Sequence, residues 1–230
     1  FPKRIVITGI GAIAPNGLGV AAYGAALAAG KSGISHHEDL ANLKFACQIG
    51  GKPPVGPDEA EALISGPDLA KLNEAMVYAT MAAVEAARMS GVLVDLKKGY
   101  SDTPVDWTTG AIIGCGIGGM DTMCDELGPV LAAAPDQDPG MGVRPMGTDI
   151  VPKIMESSVS VAVGKFLGLG GQTTTNSSAC NTGTEAIFEA FKHIQMGYAD
   201  SMYAGGAEGT HPGTWSGFDA MRDVLCSKFN

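Results

Sequence analysis

The chain has 230 residues, 45% of them hydrophobic, and a formal net charge of −9. That composition supports a substantial buried core and excludes an intrinsically disordered chain. The acidic balance excludes a general nucleic-acid binder, which needs clustered Lys and Arg. No apolar run approaches the roughly 18 residues that cross a bilayer, and the opening F-P-K-R-I-V-I-T-G lacks the layout of a secretory signal. Five cysteines, Cys47, Cys115, Cys124, Cys180 and Cys226, contain no C-x-x-C pair. In a chain of this size they read as reduced thiols in a cytoplasmic compartment.

Taken in chain order, Arg4–Thr8 reads as a short buried strand followed by a glycine-rich turn. Val20–Ala29 is Ala-rich and helical, with Gly30 as its stop. Residues 31–67 alternate short elements with Gly and Pro, and His36 and His37 fall in a polar, solvated stretch. Leu69–Met89 predicts one long helix, with Met76, Met81 and Met89 as core filler. Gly110–Gly114 is a second buried strand, with a helix starting after Gly119; Ala134–Gly147 reads as a loop. Ile150–Leu167 is mostly helical, Gln172–Ala179 a strand, Cys180–Met196 a helix and Ser201–Gly205 a strand. Ile187, Phe188, Phe191 and Ile194 recur at helical spacing in that last helix. Buried strands alternating with helices define an α/β fold with a largely parallel sheet.

Three glycine patterns invite a nucleotide reading. Gly9, Gly11 and Ala14 form G-x-G-x-x-A, but Pro15-Asn16-Gly17 follows where a dinucleotide site needs a helix N-terminus at the pyrophosphate. Gly114, Gly116 and Gly119 form G-x-G-x-x-G, without a second strand ending in Asp or Glu about 20 residues on. Gly30-Lys31-Ser32 resembles the end of a phosphate loop, but position 25 is Ala. The simpler reading is that these glycines permit tight turns and close backbone approach.

The stretch N-S-S-A-C-N-T-G places Cys180 between a Thr-rich extended segment and a helix. A cysteine at a helix N-terminus meets free backbone N–H groups and the positive end of the helix dipole. Both favour the nucleophilic thiolate, and the same N–H groups can bind an oxyanion formed during acyl transfer. The competing reading is a buried structural cysteine. Acyl transfer also calls for an acid–base partner. His193 lies on the same helix, on the order of 20 Å along it, too far to serve. On topology alone His211 is the better placed, because a right-handed βαβ unit brings the end of Ser201–Gly205 to the sheet edge that carries Cys180.

Together these motifs resemble the N-terminal half of a β-ketoacyl synthase, an acyl-carrier-protein-dependent condensing enzyme of the thiolase-like superfamily. The matching stretches are R-I-V-I-T-G-I-G-A-I-A-P-N-G, K-S-G-I, G-C-G-I-G-G, G-L-G-G-Q leading into S-A-C-N-T-G, and A-D-S-M-Y-A-G-G-A-E followed by G-F-D-A-M-R-D-V-L. The resemblance implies a layered α/β thiolase-like fold with a mainly parallel central sheet, residues 1–230 being the first of two related halves. It implies that Cys180 is the acyl-accepting nucleophile and that Ile117 and Phe218 line the acyl pocket. The implied reaction is a decarboxylative Claisen condensation of an acyl-cysteine with a malonyl thioester, in fatty acid or polyketide synthesis, with no metal or redox cofactor. The implied partners are acyl carrier protein carrying acyl and malonyl groups, and a second copy in a homodimer. The strand before Cys180 is expected at that dimer interface.

The family's two active-site histidines, its active-site lysine and its C-terminal glycine-rich loop have no counterpart in this chain. The family pattern therefore takes precedence over His211 as the base, and a C-terminal half bearing the two histidines is an expected partner. The polypeptide alone is expected to be inactive in condensation, either as a piece completed by a second piece or as an isolated half. Two other functions stay open: a non-catalytic ketosynthase-like partner subunit that binds acyl carrier protein, and an NAD-binding oxidoreductase.

Overall fold

The computed structural model describes residues 4–92, 104–133 and 144–221. The elements, in chain order, are a hairpin of β1 (Ile13–Ala14) and β2 (Gly17–Leu18), α1 (Val20–Ala28), β3 (Ser35–His36), α2 (Glu38–Asn42), β4 (Ile49–Gly50), α3 (Pro57–Glu61), α4 (Gly66–Leu69) and α5 (Glu74–Met89). Then follow β5 (Thr109–Gly114), a π-helical turn over Thr122–Leu127, α6 (Gly128–Ala133), α7 (Ile150–Ile154), α8 (Ser158–Leu167) and β6 (Thr173–Thr174). The last are a 3-10 turn over Ala179–Asn181, α9 (Thr182–Gln195), β7 (Ser201–Gly206) and α10 (Pro212–Ala220). Most of the loop expected over Ala134–Gly147 lies outside the described residues.

The central sheet is parallel, in the order β6-β5-β7. Side chains alternate across a strand, and β5 uses both of its faces. Ala111 and Ile113, with Cys115 just beyond, pack against Ala75, Ala79 and Ala83 of α5 and Val159 and Val163 of α8. Ile112 packs against Ala186 and Ala190 of α9. The sheet is thus a middle layer between α8 with α5 on one side and α9 on the other. Small Ala residues let α9 lie close to the sheet. Its larger side chains turn outward, and Ile187, Phe188 and Phe191 are 42–55% exposed. The apolar stripe legible in the sequence is therefore not the stripe that faces the sheet.

Three expected elements and the surroundings of one histidine differ. The helix expected over Leu69–Met89 begins at Glu74. Buried Asn73 caps it, its Oδ1 accepting from the Met76 N–H at 2.8 Å while its Nδ2 donates to the Lys153 carbonyl. Of its three methionines, Met76 and Met81 are buried and Met89 is exposed. Arg4–Thr8 joins no ladder among the described strands, and Val6 and Ile7 are exposed. From Gly9 onward the chain instead runs along α5, where Cβ atoms at Gly9 and Gly11 would fall 2.0 and 1.8 Å from the carbonyl oxygens of Ala86 and Ala82. These two glycines serve close backbone approach. His37 is half-buried rather than solvated: its ring packs on Trp215 at 5.6 Å, and its Nε2 lies 3.1 Å from the Gly50 carbonyl.

The strand expected over Gln172–Ala179 shortens to Thr173–Thr174, and its ladder to β5 shows why. The N–H of Ala111 donates to the Gln172 carbonyl at 2.9 Å, and the N–H of Cys115 to the Asn176 carbonyl at 3.1 Å. Between these rungs the buried Ser160 hydroxyl of α8 is inserted. It accepts from the Ile113 N–H at 3.1 Å and lies 2.5 Å from the Thr174 carbonyl and 3.0 Å from that of Ile113. A hydroxyl has one proton, and the shorter contact assigns it to Thr174. The Thr175 hydroxyl, 2.7 Å away, donates in turn to Ser160. Replacing Ser160 by Ala orphans the buried Ile113 N–H and Thr174 C=O, at roughly 1–3 kcal/mol for each group. Urea denaturation of Ser160→Ala is expected to show a loss of at least about 2 kcal/mol. An unchanged midpoint would mean that the two strands simply close into a direct rung.

Candidate active site

Three chain segments leave the same edge of the sheet: residues 115–119 after β5, 175–181 after β6, and 207–211 after β7. The middle one carries Cys180. A Cβ on Gly114 at the end of β5 would fall 2.0 Å from the Thr182 methyl carbon, so the head of α9 abuts the strand end. Asn176 ties the approach to the helix, its Nδ2 donating to the Thr182 carbonyl at 2.9 Å and to Glu185 Oε2 at 3.3 Å. The buried Thr182 hydroxyl accepts from the Ser178 N–H at 3.0 Å and donates to the Ala179 carbonyl. These bonds hold Ala179 at φ +53°, a left-handed conformation uncommon for a residue with a Cβ. Cys180 follows in the 3-10 turn that opens α9, and it is exposed. Exposed Cys180 stands just ahead of a fourteen-residue helix whose first N–H groups lack intrahelical acceptors. This arrangement can offer a thiol to a carbonyl and hydrogen bonds to the resulting oxyanion.

Cys115 is the opposite case. It is fully buried beside Glu208, whose Oε2 lies 4.0 Å from its sulfur. Burial first, and the Glu208 charge second, push its pKa up to about 12. It stays a neutral thiol at physiological pH, a poor nucleophile.

The glycine turn after β5 is already occupied. The Glu208 carboxylate, in A-G-G-A-E, accepts from the N–H of Gly116 and, at 3.2 Å, from that of Ile117. These are the donors that a pyrophosphate would need, and a fixed carboxylate there repels one. The oxidoreductase reading loses its second glycine motif on this ground, as the first is lost to the contact of Gly9 and Gly11 with α5. The segment after β7 is gripped again at Thr210, whose N–H and hydroxyl both donate to Glu74, the latter at 2.7 Å. Burial and the same Glu74, which accepts from the Tyr78 hydroxyl at 2.6 Å, keep that phenol protonated.

Ile117 thus sits on the turn beside the Cys180 segment, 38% exposed. Phe218 is half-buried on α10 and is placed by a different contact. Asp219 beside it accepts from the N–H groups of Ala46 and Cys47 at 3.0 and 2.9 Å, docking α10 on the segment leading into β4. His211 caps α10: its Nδ1 accepts from the Gly213 N–H at 2.9 Å, which directs its Nε2 to Asp125 at 3.3 Å. A ring so engaged is a cap rather than a base for Cys180. His193, at the far end of α9, pairs with Gln172 at 2.9 Å. Glu208, Thr182 and the strained Ala179 carried no sequence signal of their own, because their partners are backbone groups that any residue supplies. Among the described residues, no group of three or more His, Cys, Asp or Glu side chains is arranged to hold a metal ion. No described helix is long and apolar enough to cross a membrane. A cavity of about 200 Å³ beside Ile13, Leu18, Met81, Val84 and Arg88 lies along the C-terminal half of α5, away from this edge.

A parallel sheet between helix layers is shared with solved ketosynthases of the thiolase-like fold. Among solved structures, a beta-ketoacyl synthase from Burkholderia phymatum superposes with a TM-score of 0.79 at 24% identity, over 95% of this chain and 50% of that one. The ishigamide ketosynthase/chain length factor does so at 0.79 and 23%, over 96% and 51%. The chain belongs to the beta-ketoacyl synthase family, matching the description "Beta-ketoacyl synthase, N-terminal domain" over residues 2–230. A putative mitochondrial 3-oxoacyl-[acyl-carrier-protein] synthase of Schizosaccharomyces pombe is 31% identical over 99% of this chain and 51% of its own length. 3-oxoacyl-[acyl-carrier-protein] synthase 1 of Haemophilus influenzae is also 31% identical, over 99% of this chain and 52% of its own. The chain therefore spans about half the length of these relatives.

Two outcomes are expected. Iodoacetamide at pH 8 should modify Cys180 and Cys124 in the native protein and leave Cys115 unmodified until denaturation, as read by peptide mass spectrometry; early labelling of Cys115 contradicts its burial. Ala179→Gly should raise stability by about 0.5–1 kcal/mol in urea, since the left-handed penalty of roughly 1–2 kcal/mol outweighs the entropy cost of Gly. A destabilised Ala179→Gly variant would show that the Ala179 methyl packs usefully.

Proposed function

We propose that residues 1–230 are the nucleophile-bearing half of an acyl-carrier-protein-dependent β-ketoacyl synthase, with Cys180 as the acyl acceptor. The supporting observation is the exposed thiol at the head of α9, held there by the Thr182 and Asn176 bonds. In this reading the Cys180 thiolate attacks the carbonyl of an acyl thioester. The tetrahedral oxyanion is met by backbone N–H groups at the helix head, and collapse expels the carrier thiolate. A malonyl thioester then loses carbon dioxide, and its carbanion attacks the acyl-cysteine carbonyl. The C–C bond forms, the C–S bond breaks, and the cysteine thiolate returns as the β-ketoacyl product leaves. Ile117 and Phe218 line the path of the acyl chain. No metal or redox cofactor enters this chemistry.

The groups that promote decarboxylation, two histidines above all, belong to a C-terminal half, and this chain alone does not condense. The exposed face of α9, with Ile187, Phe188 and Phe191, is the surface that such a half covers, because an apolar helix face of this kind calls for a packing partner. A homodimer through the edge strand β6 and a cytoplasmic location complete the proposal. Acyl carrier protein is the donor, in line with a structural neighbour described as a type II polyketide ketosynthase in complex with its acyl-carrier protein. The alternative of a non-catalytic partner subunit has in its favour the likeness to a ketosynthase/chain length factor. Cys180 separates the two readings.

Incubation of the chain with a medium-chain acyl thioester is expected to add one acyl group, located at Cys180 and lost in Cys180→Ala, with no condensed product when malonyl thioester follows. Acylation no faster at Cys180 than at buried Cys47 would overturn the enzyme reading and favour the partner subunit.

A further inference from the structure

The chemistry proposed above gives Glu208 no task, yet its carboxylate joins two of the three segments at the site. We propose that Glu208 is a positioning residue that holds the Gly116–Ile117 turn against the Ala179–Cys180 turn and so sets how long an acyl chain the thiol accepts. The proposal rests on the acyl-transfer reading of Cys180 and deepens it.

Beyond Cys115 the chain has left the ladder of β5, so the N–H groups of Gly116 and Ile117 must find acceptors elsewhere. Glu208 supplies both, one oxygen to each, in charge-assisted bonds of the stronger kind. A Cβ on Gly116 would fall 3.1 Å from Glu208 Oε1 and 3.9 Å from the Ala179 Cα, so the clamp and the Ala179 turn both adjoin this one residue. Ile117 follows directly. At 38% exposure its direction is set by its backbone rather than by burial, and its backbone N–H is held by Glu208. With both oxygens engaged by N–H donors, Glu208 acts through the turn rather than on the reacting atoms. The same bonds keep those two N–H groups from the oxyanion, which leaves the helix head to bind it.

The test compares the rates at which Cys180 reacts with N-ethylmaleimide and with N-octylmaleimide, by mass spectrometry, in the wild-type chain, Glu208→Ala and Glu208→Gln. Deuterium exchange over residues 115–118 is measured alongside. In Glu208→Ala the N-ethylmaleimide rate is expected to stay within about twofold while the octyl-to-ethyl ratio shifts by about fivefold or more, as a displaced lining residue would cause. Exchange over residues 115–118 should quicken. Glu208→Gln, which keeps one acceptor oxygen, should fall between. A ratio that stays within about twofold in both variants overturns the proposal. So does a parallel fall of both rates with the melting temperature, which marks a purely structural residue. Should Glu208→Ala fail to fold, Glu208→Gln decides on the same ratio. If the wild-type chain takes no acyl group, the reading of Cys180 fails, while the maleimide ratio still decides for or against Glu208.

Discussion

One serine hydroxyl sets the course of the chain toward Cys180. An uninterrupted parallel ladder from Gln172 would carry the chain straight along β5 to its end. Ser160 takes the rung between Ile113 and Thr174 instead, accepting from one strand and donating to the other. The rung survives as a relay, so neither the Ile113 N–H nor the Thr174 carbonyl is left unpaired, but the strands are held a hydroxyl apart at that point. The chain rejoins β5 once, at Asn176, before turning at Ala179 into α9. The Thr175 hydroxyl, donating back to Ser160, secures the side chain that makes the wedge. The Thr-rich run before Cys180 therefore contributes a hydrogen-bond partner as well as extended propensity.

The acidic balance of the chain has a similar structural content. Glu208 binds the N–H groups of Gly116 and Ile117, Glu85 those of Ala12 and Val20, and Asp219 those of Ala46 and Cys47. Glu74 binds that of Thr210 and Asp121 that of Glu74. In each case a carboxylate fastens a loop or helix start to an element distant in sequence. Such loops have no ladder of their own, and a carboxylate with two acceptor oxygens satisfies adjacent N–H groups in one contact. Part of the negative charge thus holds glycine-rich connections in place, and neither partner nor compartment need be invoked for that part.

The regular part of the fold was legible because periodicity and punctuation agree there. Gly110–Gly114 and Ser201–Gly205 stand out as apolar or small-residue runs, and the helix read over Val20–Ala29 stops at Gly30, which takes a positive φ of 64°. The head of a helix at Cys180 follows from the Thr-rich extended segment before it and the apolar spacing beyond it. Legibility failed wherever a distant group decided the outcome. The shortened β6 depends on a serine of α8, and the delayed start of α5 on an Asn cap fastened to Lys153. The outward stripe of α9 depends on which of its faces meets the sheet, and local spacing cannot tell a core contact from a surface awaiting another partner. Glu208 lay in a motif that was read, but its role needed the coordinates of a turn about 90 residues away.

The two cysteines at this sheet edge show what the fold has to arrange. Cys115 ends β5 in the layer between sheet and helices, where burial and a neighbouring carboxylate keep its proton on. Cys180 ends the next segment one strand over, where the chain, after its last rung at Asn176, turns at Ala179 into α9 and leaves the residue exposed. Both thiols belong to the same amino-acid type at the same edge, so the difference between them is one of backbone path. The left-handed Ala179, unfavourable by itself, is the local conformation that turns the chain into α9 and leaves Cys180 exposed at its head.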